Sequence, residues 1–309
     1  MRRAGRSRSR SWSRWSVAGL LLAGVLAVGG VPLAWAAAQT PPVIEVHKVD
    51  EGHFAPHPGE PVFMLALGID GRAGIDTDRA DAIHVIGVNP GAGSAVILNI
   101  PRDTYVDIPG HGRSKINDAF TFGGADLQAQ TVSRLTGVSN RFVITTTFAG
   151  FPRMVDELGG LPVGVPFAMN DKFSGANFPA GIVQMNGAQA FAFARNRHIP
   201  DGDLARTQDQ GALIIAALSK LRGQGVGANP SRTFKSLAVL GRNSRLSGVG
   251  LVDLYNLGRL GLSIDPARVR NITMPATIGM AGSASVVFVA PAAGSLFADF
   301  RDDALLQAH

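Results

Sequence analysis

The sequence predicts an α/β protein: an αβα sandwich with a central mixed sheet flanked by helices, preceded by one N-terminal transmembrane helix. Short apolar runs bounded by turn residues are typical of strands buried on both faces, and longer helical patterns lie between them. An uncharged apolar stretch near the N-terminus predicts the membrane helix. With 309 residues, of which 46% are apolar and 17% charged, the chain can bury a full core.

The N-terminal region divides into a basic leader over residues 1–15 and an uncharged apolar segment over residues 16–38. The apolar segment is long enough to cross roughly 30 Å of hydrocarbon. The positive-inside rule places the arginines of the leader in the cytoplasm, so we expect a single-pass protein of the cell membrane whose C-terminal domain is extracytoplasmic. A cleavable signal peptide is the alternative, because Ala34, Trp35 and Ala36 resemble a cleavage site. Both interpretations export the domain.

After the apolar segment, residues 39–60 contain several prolines and charges and predict a stalk. The folded domain is expected over residues 61–305, with its core over residues 61–222. The predicted strands are residues 61–67, 82–88, 95–100, 143–148, 161–165, 269–274 and 285–289. The predicted helices are residues 125–136, 149–158, 186–194, 203–222 and 250–262.

The distribution of charge excludes several classes of function. Of the 29 Lys and Arg residues, six are arginines within the first fourteen positions, so the rest of the chain carries 23 basic and 23 acidic residues. A DNA-reading domain should keep its own positive patch, so nucleic acid is not an expected partner. The chain has no cysteine, which excludes thiol nucleophiles and Cys-ligated zinc. The absence of a Gly-x-Ser-x-Gly motif leaves a serine hydrolase with little support.

Charged residues gather at the ends of the predicted strands. Asp70 follows the first strand, Arg79 and Asp81 precede the second, and the pair Arg102 and Asp103 follows the third. Ligand sites in open α/β sheets lie outside the carboxyl ends of strands, so these side chains stand where chemistry is expected. Turn capping and surface ion pairs are the structural alternative.

A second group of polar residues lies near the start of the helix predicted over residues 203–222. Asp203, Arg206 and Gln210 are spaced so that one face of a helix presents all three. Arg195 and Arg197 share a face only if the chain leaves the preceding helix there, which we expect. Clustered arginine suits phosphate, because the planar guanidinium donates two hydrogen bonds and keeps its charge. A solvated helix face is the alternative.

Several arginines with a few carboxylates and no Walker loop form a coherent set for pyrophosphate chemistry. The aspartates can hold a divalent hard cation, which together with arginine neutralises charge in phosphoryl transfer. A glycosidase could also use two carboxylates, but nothing else in the sequence supports one. His84 lies inside an apolar strand, and we expect it to be a packed core residue rather than a ligand.

The same residues carry a resemblance to the LytR-CpsA-Psr family of cell-wall glycopolymer ligases. The matching segments are LGIDGR (67–72), RAD (79–81), IPRDT (100–104), KIN (115–117), GG (123–124), VDELGG (155–160), ARNR (194–197) and GDLAR (202–206) with Gln210. Their order and spacing follow the family over about residues 61–222, and the register of all eight makes the match specific.

The resemblance implies a phosphotransferase that moves a glycopolymer with its phosphate from a polyprenyl-pyrophosphate carrier to peptidoglycan. It implies an apolar tunnel for the lipid, and Mg²⁺ or Mn²⁺ held by Asp70 and Asp81. The implied pyrophosphate-binding residues are Arg79, Arg102, Arg195, Arg197, Arg206 and Gln210. Arg102, Asp103, Arg195 and Arg197 are the implied catalytic residues, with Asp203 and Lys115 in support. Asp103 is expected to act as a base or as the partner of a lysine, and Asp203 to orient one of the arginines.

The sequence also departs from the family pattern. Asn99 stands where serine is common, and Ala80 and Ala82 flank Asp81 where hydroxyl residues are usual. These changes alter the hydrogen bonds expected around the metal ligands. Two rival functions remain open at this point: a noncatalytic polyprenyl-phosphate or wall-binding scaffold, and a polyprenyl-pyrophosphate pyrophosphatase in which water replaces the acceptor.

Overall fold

A computed structural model describes residues 44–49, 53–71, 78–200, 202–226 and 244–307. The predicted leader and transmembrane segment, residues 1–38, lie outside the described residues. Within those ranges, no helix has both the length and the apolar character needed to cross a membrane.

The described residues form fifteen strands and six α-helices. The strands are β1 (Ile44–Lys48), β2 (Val62–Ile69), β3 (Ala80–Asn89), β4 (Ser94–Asn99), β5 (Tyr105–Ile108), β6 (Gly112–Lys115), β7 (Phe142–Thr147), β8 (Leu161–Val165), β9 (Met169–Asp171), β10 (Ala176–Phe178), β11 (Gly181–Met185), β12 (Ser244–Ser247), β13 (Val269–Thr273), β14 (Ala276–Ala281) and β15 (Ala284–Val289). The helices are α1 (Asp118–Thr136), α2 (Gly150–Glu157), α3 (Gly187–Arg195), α4 (Asp203–Gly223), α5 (Leu251–Ser263) and α6 (Ala292–Asp303).

Seven of these strands form the central sheet, in the order β12-β1-β7-β2-β3-β4-β13. The pairs β12–β1, β7–β2 and β4–β13 are parallel, and the other neighbours are antiparallel. The sheet is therefore mixed, as the sequence predicts. The predicted strands and helices all coincide with observed elements to within a few residues at each end, except that α1 begins seven residues earlier than predicted. Strands β1, β5, β6, β9 to β12 and β14, and helix α6, were not predicted.

Part of the predicted stalk belongs to the sheet. Strand β1 pairs with β7 and β12, and the Lys48 ammonium lies 3.4 Å from the Asp253 carboxylate with both side chains buried. Phe54 is buried and packs edge-to-face on Phe142, with ring centroids 5.0 Å apart. The folded unit therefore includes Ile44–Lys48, and a boundary near residue 61 is wrong. Strand β1 was not predicted because it is short, charged and close to prolines.

Both faces of the sheet are covered, which makes the fold a sandwich. Alternate residues of β2, represented by Leu65 and Leu67, pack against α1 and α6, including Phe297. Val62 and Met64 point to the other face, where they pack against residues of α4 and α5. Each such side chain contributes about 1.5–3 kcal/mol by burial, which stabilises the packing of helices on both faces.

A third apolar cluster joins helices α2, α3 and α4 to strands β8 to β11. Val155, Phe193 and Leu213 of the three helices pack together with Leu161 of β8. These helices and small strands also supply one wall of the large cavity described below.

Helix α1 is interrupted after its first turns. Gly124 has φ 63° and ψ −153°, a conformation that is essentially confined to glycine. The break separates a short segment that carries Asp118 from the regular helix, which begins close to the predicted residue 125. The Asp118 Oδ1 lies 3.5 Å from the Arg79 Nε.

Candidate active site

A cavity of about 870 Å³ lies on the face of the sheet opposite α1 and α6. On this face the side chains of β2 become smaller along the strand, from Val62 and Met64 to Ala66 and Gly68. The two larger residues fill the core, whereas Ala66 and Gly68 line the cavity. The size gradient along one strand therefore leaves the space that the cavity occupies. Its volume is near the upper end of small-molecule sites, roughly 300–1,000 Å³.

Apolar side chains form most of the cavity wall. Residues from the sheet, from α2, from α3 and from α4 contribute to it, among them Ala82, Ile86, Ile144, Phe151, Met154, Leu158, Phe191, Leu213, Ile214 and Ala217. A wall of this composition suits an aliphatic ligand, because burial of apolar surface supplies the binding free energy.

The cavity also has charged and polar groups on its lining. Six of the predicted site residues line it: Asp70, Asp81, Arg195, Arg197, Arg206 and Gln210. The remaining five, Arg79, Arg102, Asp103, Lys115 and Asp203, are not part of the lining. Two of those five, Arg102 and Asp203, are joined to lining residues by ion pairs, as described next.

A β-bulge determines where Asp81 points. Gly68 pairs with Ala82 and Ile69 pairs with Ala80, so Asp81 is the extra residue between the two pairs. The bulge breaks the alternation of β3: Ala80 joins the core, whereas Asp81 and Ala82 both line the cavity. Without the extra residue, Asp81 would face the apolar core.

Arg102 is linked to the cavity by its ion pair with Asp81, a lining residue. Its Nη1 donates to the Asp81 Oδ1 at 2.6 Å, and its Nε lies 4.0 Å from the Asp103 Oδ2. Burial lowers the pKa of Arg102, but the carboxylates of Asp81, Asp203 and Asp103 outweigh burial and raise this pKa above its ordinary value. The Lys115 Nζ lies 3.0 Å from the Asp103 Oδ1. Asp103 is thus the partner of a lysine, one of the two roles expected for it.

Helix α4 presents the second group as predicted. The Arg206 Nη2 lies 2.9 Å from the Asp203 Oδ1 one turn earlier, and the Arg197 Nε lies 3.7 Å from the same oxygen. Arg206 is only 3% exposed, and its pKa is lowered to about 10. Burial is the main cause; Arg102 and Arg197 also lower this pKa, and Asp203 and Asp81 raise it. Arg206 therefore stays charged at neutral pH.

The end of α3 directs two arginines to the cavity. Arg195 is the last residue of the helix, and Asn196 is extended, with φ −65° and ψ 124°. This confirms that the chain leaves the helix at Arg195. The Arg195 guanidinium carbon lies 5.1 Å from the centroid of the Phe191 ring, a cation–π contact that keeps the side chain at the cavity wall.

Arg79 lies apart from the other predicted pyrophosphate-binding residues. Its side chain is half exposed, and its Nε lies 3.5 Å from the Asp118 Oδ1. The backbone N–H of Arg79 donates to the Oδ1 of Asp70, a lining residue, at 3.3 Å. This bond connects the main chain of Arg79, not its guanidinium, to the cavity. The contribution of Arg79 to ligand binding therefore stays a prediction.

Several buried polar atoms of this site have no hydrogen-bond partner within the protein. They are the Nε atoms of Arg102 and Arg206, the Asp203 Oδ2 and the Gln210 Oε1. Buried polar groups are normally paired, so unpaired donors on two arginines indicate a place for an anionic ligand.

The residues present also fit a divalent cation. Asp70 and Asp81 line the same cavity as the arginines. The described residues contain no group of three or more His, Cys, Asp or Glu that could hold a metal. Mg²⁺ commonly uses only one or two carboxylates together with waters and substrate phosphates, and two aspartates beside an anion site suit that arrangement.

A buried hydrogen-bond chain fixes the state of His84. The Asn271 Nδ2 donates to the backbone carbonyl of Gln208, an unambiguous acceptor, so its Oδ1 accepts from the Asn99 Nδ2 at 2.7 Å. The Asn99 Oδ1 therefore accepts from the His84 Nδ1, also at 2.7 Å, and the hydrogen of the neutral imidazole lies on Nδ1. His84 is buried as expected, and it also lines the cavity.

Asn99, where the sequence departs from the family pattern, is therefore a member of this hydrogen-bond chain. A side chain at Gly211 of α4 would lie 2.2 Å from the Asn271 Oδ1 and 2.8 Å from the Asn99 Oδ1. The chain of amides therefore requires glycine where the helix crosses it.

Protonation of His84 should make stability depend on pH. The pKa of His84 is lowered to about 4, mainly by burial. The hydrogen bond to Asn99 opposes this shift, and the charge of Arg206 favours it. Because the unfolded chain takes up a proton near pH 6.5 and the native protein does not, stability is lost as the pH falls from 6.5 toward 4. Between pH 7 and 5 the loss from this group is about 2 kcal/mol. Chemical unfolding at both pH values should show a smaller loss for His84→Gln, and equal losses would contradict the assignment.

Two further residues at the cavity were not predicted from strand ends or from arginine spacing. Asp171 and His198 both line it, and the His198 Nδ1 lies 3.0 Å from the Asp171 Oδ1. Asp171 ends a three-residue strand that was not predicted, and the pair spans 27 residues of the chain. His198 directly follows the Arg195–Arg197 segment, which was the one available signal.

The fold and the cavity define a class of protein: an α/β sandwich whose ligand cavity joins apolar walls to arginines and carboxylates. The chain belongs to the LytR-CpsA-Psr family, whose model matches residues 36–296. This confirms the resemblance that the sequence motifs indicated.

Similar proteins include the polyisoprenyl-teichoic acid–peptidoglycan teichoic acid transferase TagU of Bacillus mycoides, which is 40% identical over 165 residues, or 52% of this chain and 53% of that protein. The chain spans about half the length of the curated relatives it matches. TagT bound to LIIa-WTA has a TM-score of 0.65 and 25% identity, covering 86% of this chain and 97% of that one. TagT with bound octaprenyl pyrophosphate lipid has a TM-score of 0.62 and 23% identity, covering 84% and 97%.

Proposed function

We propose that this protein transfers a glycopolymer with its phosphate from a polyprenyl-pyrophosphate carrier to peptidoglycan. The observation that carries the proposal is a single cavity that combines a long apolar wall with Asp70, Asp81, Arg195, Arg197 and Arg206. A ligand that suits both parts is an amphiphile with an aliphatic tail and a multiply charged head. Membership of the family supports the same substrate class, as does the similarity to a polyisoprenyl-teichoic acid–peptidoglycan teichoic acid transferase.

In this proposal the lipid tail lies along the apolar wall and the pyrophosphate lies at the arginines. TagT has been solved with octaprenyl pyrophosphate, which supports a polyprenyl tail for this chain. Arg102, Arg195, Arg197 and Arg206 donate to the phosphate oxygens, together with Gln210. Asp203 holds Arg206 and Arg197 in place, and Lys115 neutralises Asp103.

Asp70 and Asp81 would hold Mg²⁺ or Mn²⁺, which supplies additional neutralisation of the pyrophosphate when bound. The reaction itself is a displacement at phosphorus. A hydroxyl oxygen of peptidoglycan attacks the sugar-side phosphorus, and the bond from that phosphorus to the bridging oxygen breaks. The glycan is transferred with its phosphate, and polyprenyl phosphate is released.

The residues of the cavity favour this reaction over a noncatalytic scaffold. A noncatalytic scaffold needs the apolar wall, but it has no need for carboxylates directed into the cavity by a β-bulge at Asp81. A pyrophosphatase needs the same residues with water as the acceptor, so the product distinguishes it.

For location, we propose a single-pass membrane protein with a cytoplasmic N-terminus and an extracytoplasmic domain. The arginine-rich leader and the apolar segment over residues 16–38 support this arrangement. A reporter that is active only outside the cytoplasm, fused after the C-terminal residue, measures the side of the membrane directly.

The cation requirement tests the proposal. Asp81→Asn should raise the Mg²⁺ concentration needed for half-maximal transfer by at least roughly 10-fold, because it removes formal charge from a proposed metal ligand while keeping an oxygen. Excess Mg²⁺ should restore part of the rate. The matched control is Asp107→Asn, which alters an exposed aspartate paired with Arg134. An Mg²⁺ titration of Asp81→Asn that matches that of the control would remove Asp81 as a metal ligand.

A further inference from the structure

The mouth of the cavity carries an aspartate–histidine pair that the proposed function has not used. His198 follows Arg197 on the loop after α3, and Asp171 ends β9. The His198 Nδ1 lies 3.0 Å from the Asp171 Oδ1, and both residues line the cavity together with Arg195 and Arg197.

Asp171 is held as a carboxylate. Its oxygens accept from the backbone N–H groups of Phe173 and Ser174, each at 3.0 Å, and its side chain is 4% exposed. Hydrogen bonds from the Ser174 side chain, from these two backbone groups and from His198 lower the pKa of Asp171 and outweigh its burial. A carboxylate at this place accepts a hydrogen from the His198 Nδ1. The lone pair of the neutral imidazole is then on Nε2.

The imidazole of His198 is fixed but open to solvent. The ring of Phe173 stacks on it, with centroids 4.8 Å apart and an angle of 27° between the planes. The backbone N–H of His198 donates to the Asn196 Oδ1 at 3.1 Å. The His198 side chain is nevertheless 59% exposed, which suits contact with an acceptor that arrives from the wall rather than from the lipid.

The other titratable groups are less suited to accept a proton from that acceptor. His84 is 4% exposed, and burial lowers its pKa to about 4. Asp103 is not part of the cavity lining, and its carboxylate is 3.0 Å from the Lys115 ammonium. The charged groups that line the cavity with His198 are Asp171 of β9, Asp70 after β2, Asp81 of β3, Arg195 at the end of α3, Arg197 after it, and Arg206 of α4.

We propose that His198 is the general base of the transfer reaction and that Asp171 is its positioning residue. This rests on the proposed function. The peptidoglycan hydroxyl oxygen forms a bond to the sugar-side phosphorus while its proton moves to the His198 Nε2. The bond to the bridging oxygen breaks, and its electron pair leaves with polyprenyl phosphate. His198 then returns its proton to water, and Asp171 stays a carboxylate throughout.

Two substitutions separate a base from a structural tether. His198→Gln keeps an N–H that can donate to Asp171 but has no basic nitrogen, whereas His198→Ala removes both. Both should lower the transfer rate by roughly 100-fold or more, with unchanged binding of polyprenyl pyrophosphate and loss of the low-pH limb of the pH–rate profile. Added imidazole should restore part of the rate of His198→Ala. His111→Gln is the matched control, because His111 also stacks on a phenylalanine, Phe122, at 4.6 Å but is exposed and outside the cavity lining.

The outcomes are distinguishable from failure of the proposed function. Near-normal transfer and an unchanged pH profile in His198→Gln would overturn the base assignment while leaving the transferase intact, provided that the unaltered protein transfers polymer. A slow His198→Ala beside a normal His198→Gln would reduce the pair to a tether, which also overturns it. If the unaltered protein transfers no polymer, the proposed function fails and the base assignment fails with it.

Discussion

Replacing Arg102 by alanine is expected to slow glycopolymer transfer by about 30-fold to 1000-fold, equivalent to about 2–4 kcal/mol of transition-state stabilisation. The Arg102 side chain is largely buried and donates to the Asp81 Oδ1 at 2.6 Å. Its Nε has no hydrogen-bond partner within the protein. In the proposed site, its removal would take a charge-assisted donor from the pyrophosphate, and it leaves the Asp81 carboxylate without this arginine. Arg102→Lys should restore little, because an ammonium cannot contact two oxygens as a guanidinium does.

Arg134→Ala is the matched control for this change. Arg134 also pairs with an aspartate, at 3.3 Å from Asp107, but both side chains are more than half exposed. A surface pair of this kind contributes under about 1 kcal/mol to stability. Rates are measured on folded protein, and a normal rate for Arg102→Ala would remove the arginine from the mechanism. The double variant with Asp81→Asn should lose less than the sum of the single losses, because each change breaks the same contact.

Filling the cavity with Ala66→Phe is expected to weaken binding of a long polyprenyl pyrophosphate by roughly 100-fold or more. Ala66 lies on the sheet wall of a cavity of about 870 Å³, so a larger side chain can enter existing space. Each CH₂ that loses its contact costs about 0.8 kcal/mol, and exclusion of four such groups gives about 3 kcal/mol. Thermal unfolding should change little, since a core cavity is filled rather than overpacked.

The length of the lipid supplies the control for this prediction. A short-chain pyrophosphate should bind equally to the unaltered protein and to Ala66→Phe, because the arginine end of the cavity is unchanged. Binding measured across a series of chain lengths should rise with length only in the unaltered protein. Equal affinity of that protein for short and long chains would remove the assignment of the apolar wall to the lipid.

The sequence predicted the sandwich because the central strands β2, β3 and β4 are mostly apolar runs. Strand β4 is the clearest case, since all six of its residues are buried. Strand β1 was missed because its residues alternate in burial over only five positions and include Glu45, His47 and Lys48. Helix α6 was not predicted, although its Phe297 and Phe300 complete the core.

The candidate site was predictable where it depends on spacing along one element. Asp203 and Arg206 are one helical turn apart, and the structure joins them at 2.9 Å. Contacts between distant segments were not predictable: Asp118 with Arg79 joins the start of α1 to the residue before β3, and Asp171 with His198 joins a small hairpin to a loop. The direction of Asp81 depends on a bulge that alternation alone does not reveal.

The proposed transfer reaction is tested by identifying its products. Purified protein is given a polyprenyl-pyrophosphate-linked glycopolymer, peptidoglycan and Mg²⁺, and both the wall fraction and the lipid fraction are analysed by mass spectrometry. We expect glycopolymer joined to peptidoglycan through a phosphodiester, with one polyprenyl phosphate released for each polymer attached. Polyprenyl phosphate released with free phosphorylated glycan and an unmodified wall, or a bound lipid that is never consumed, would contradict it.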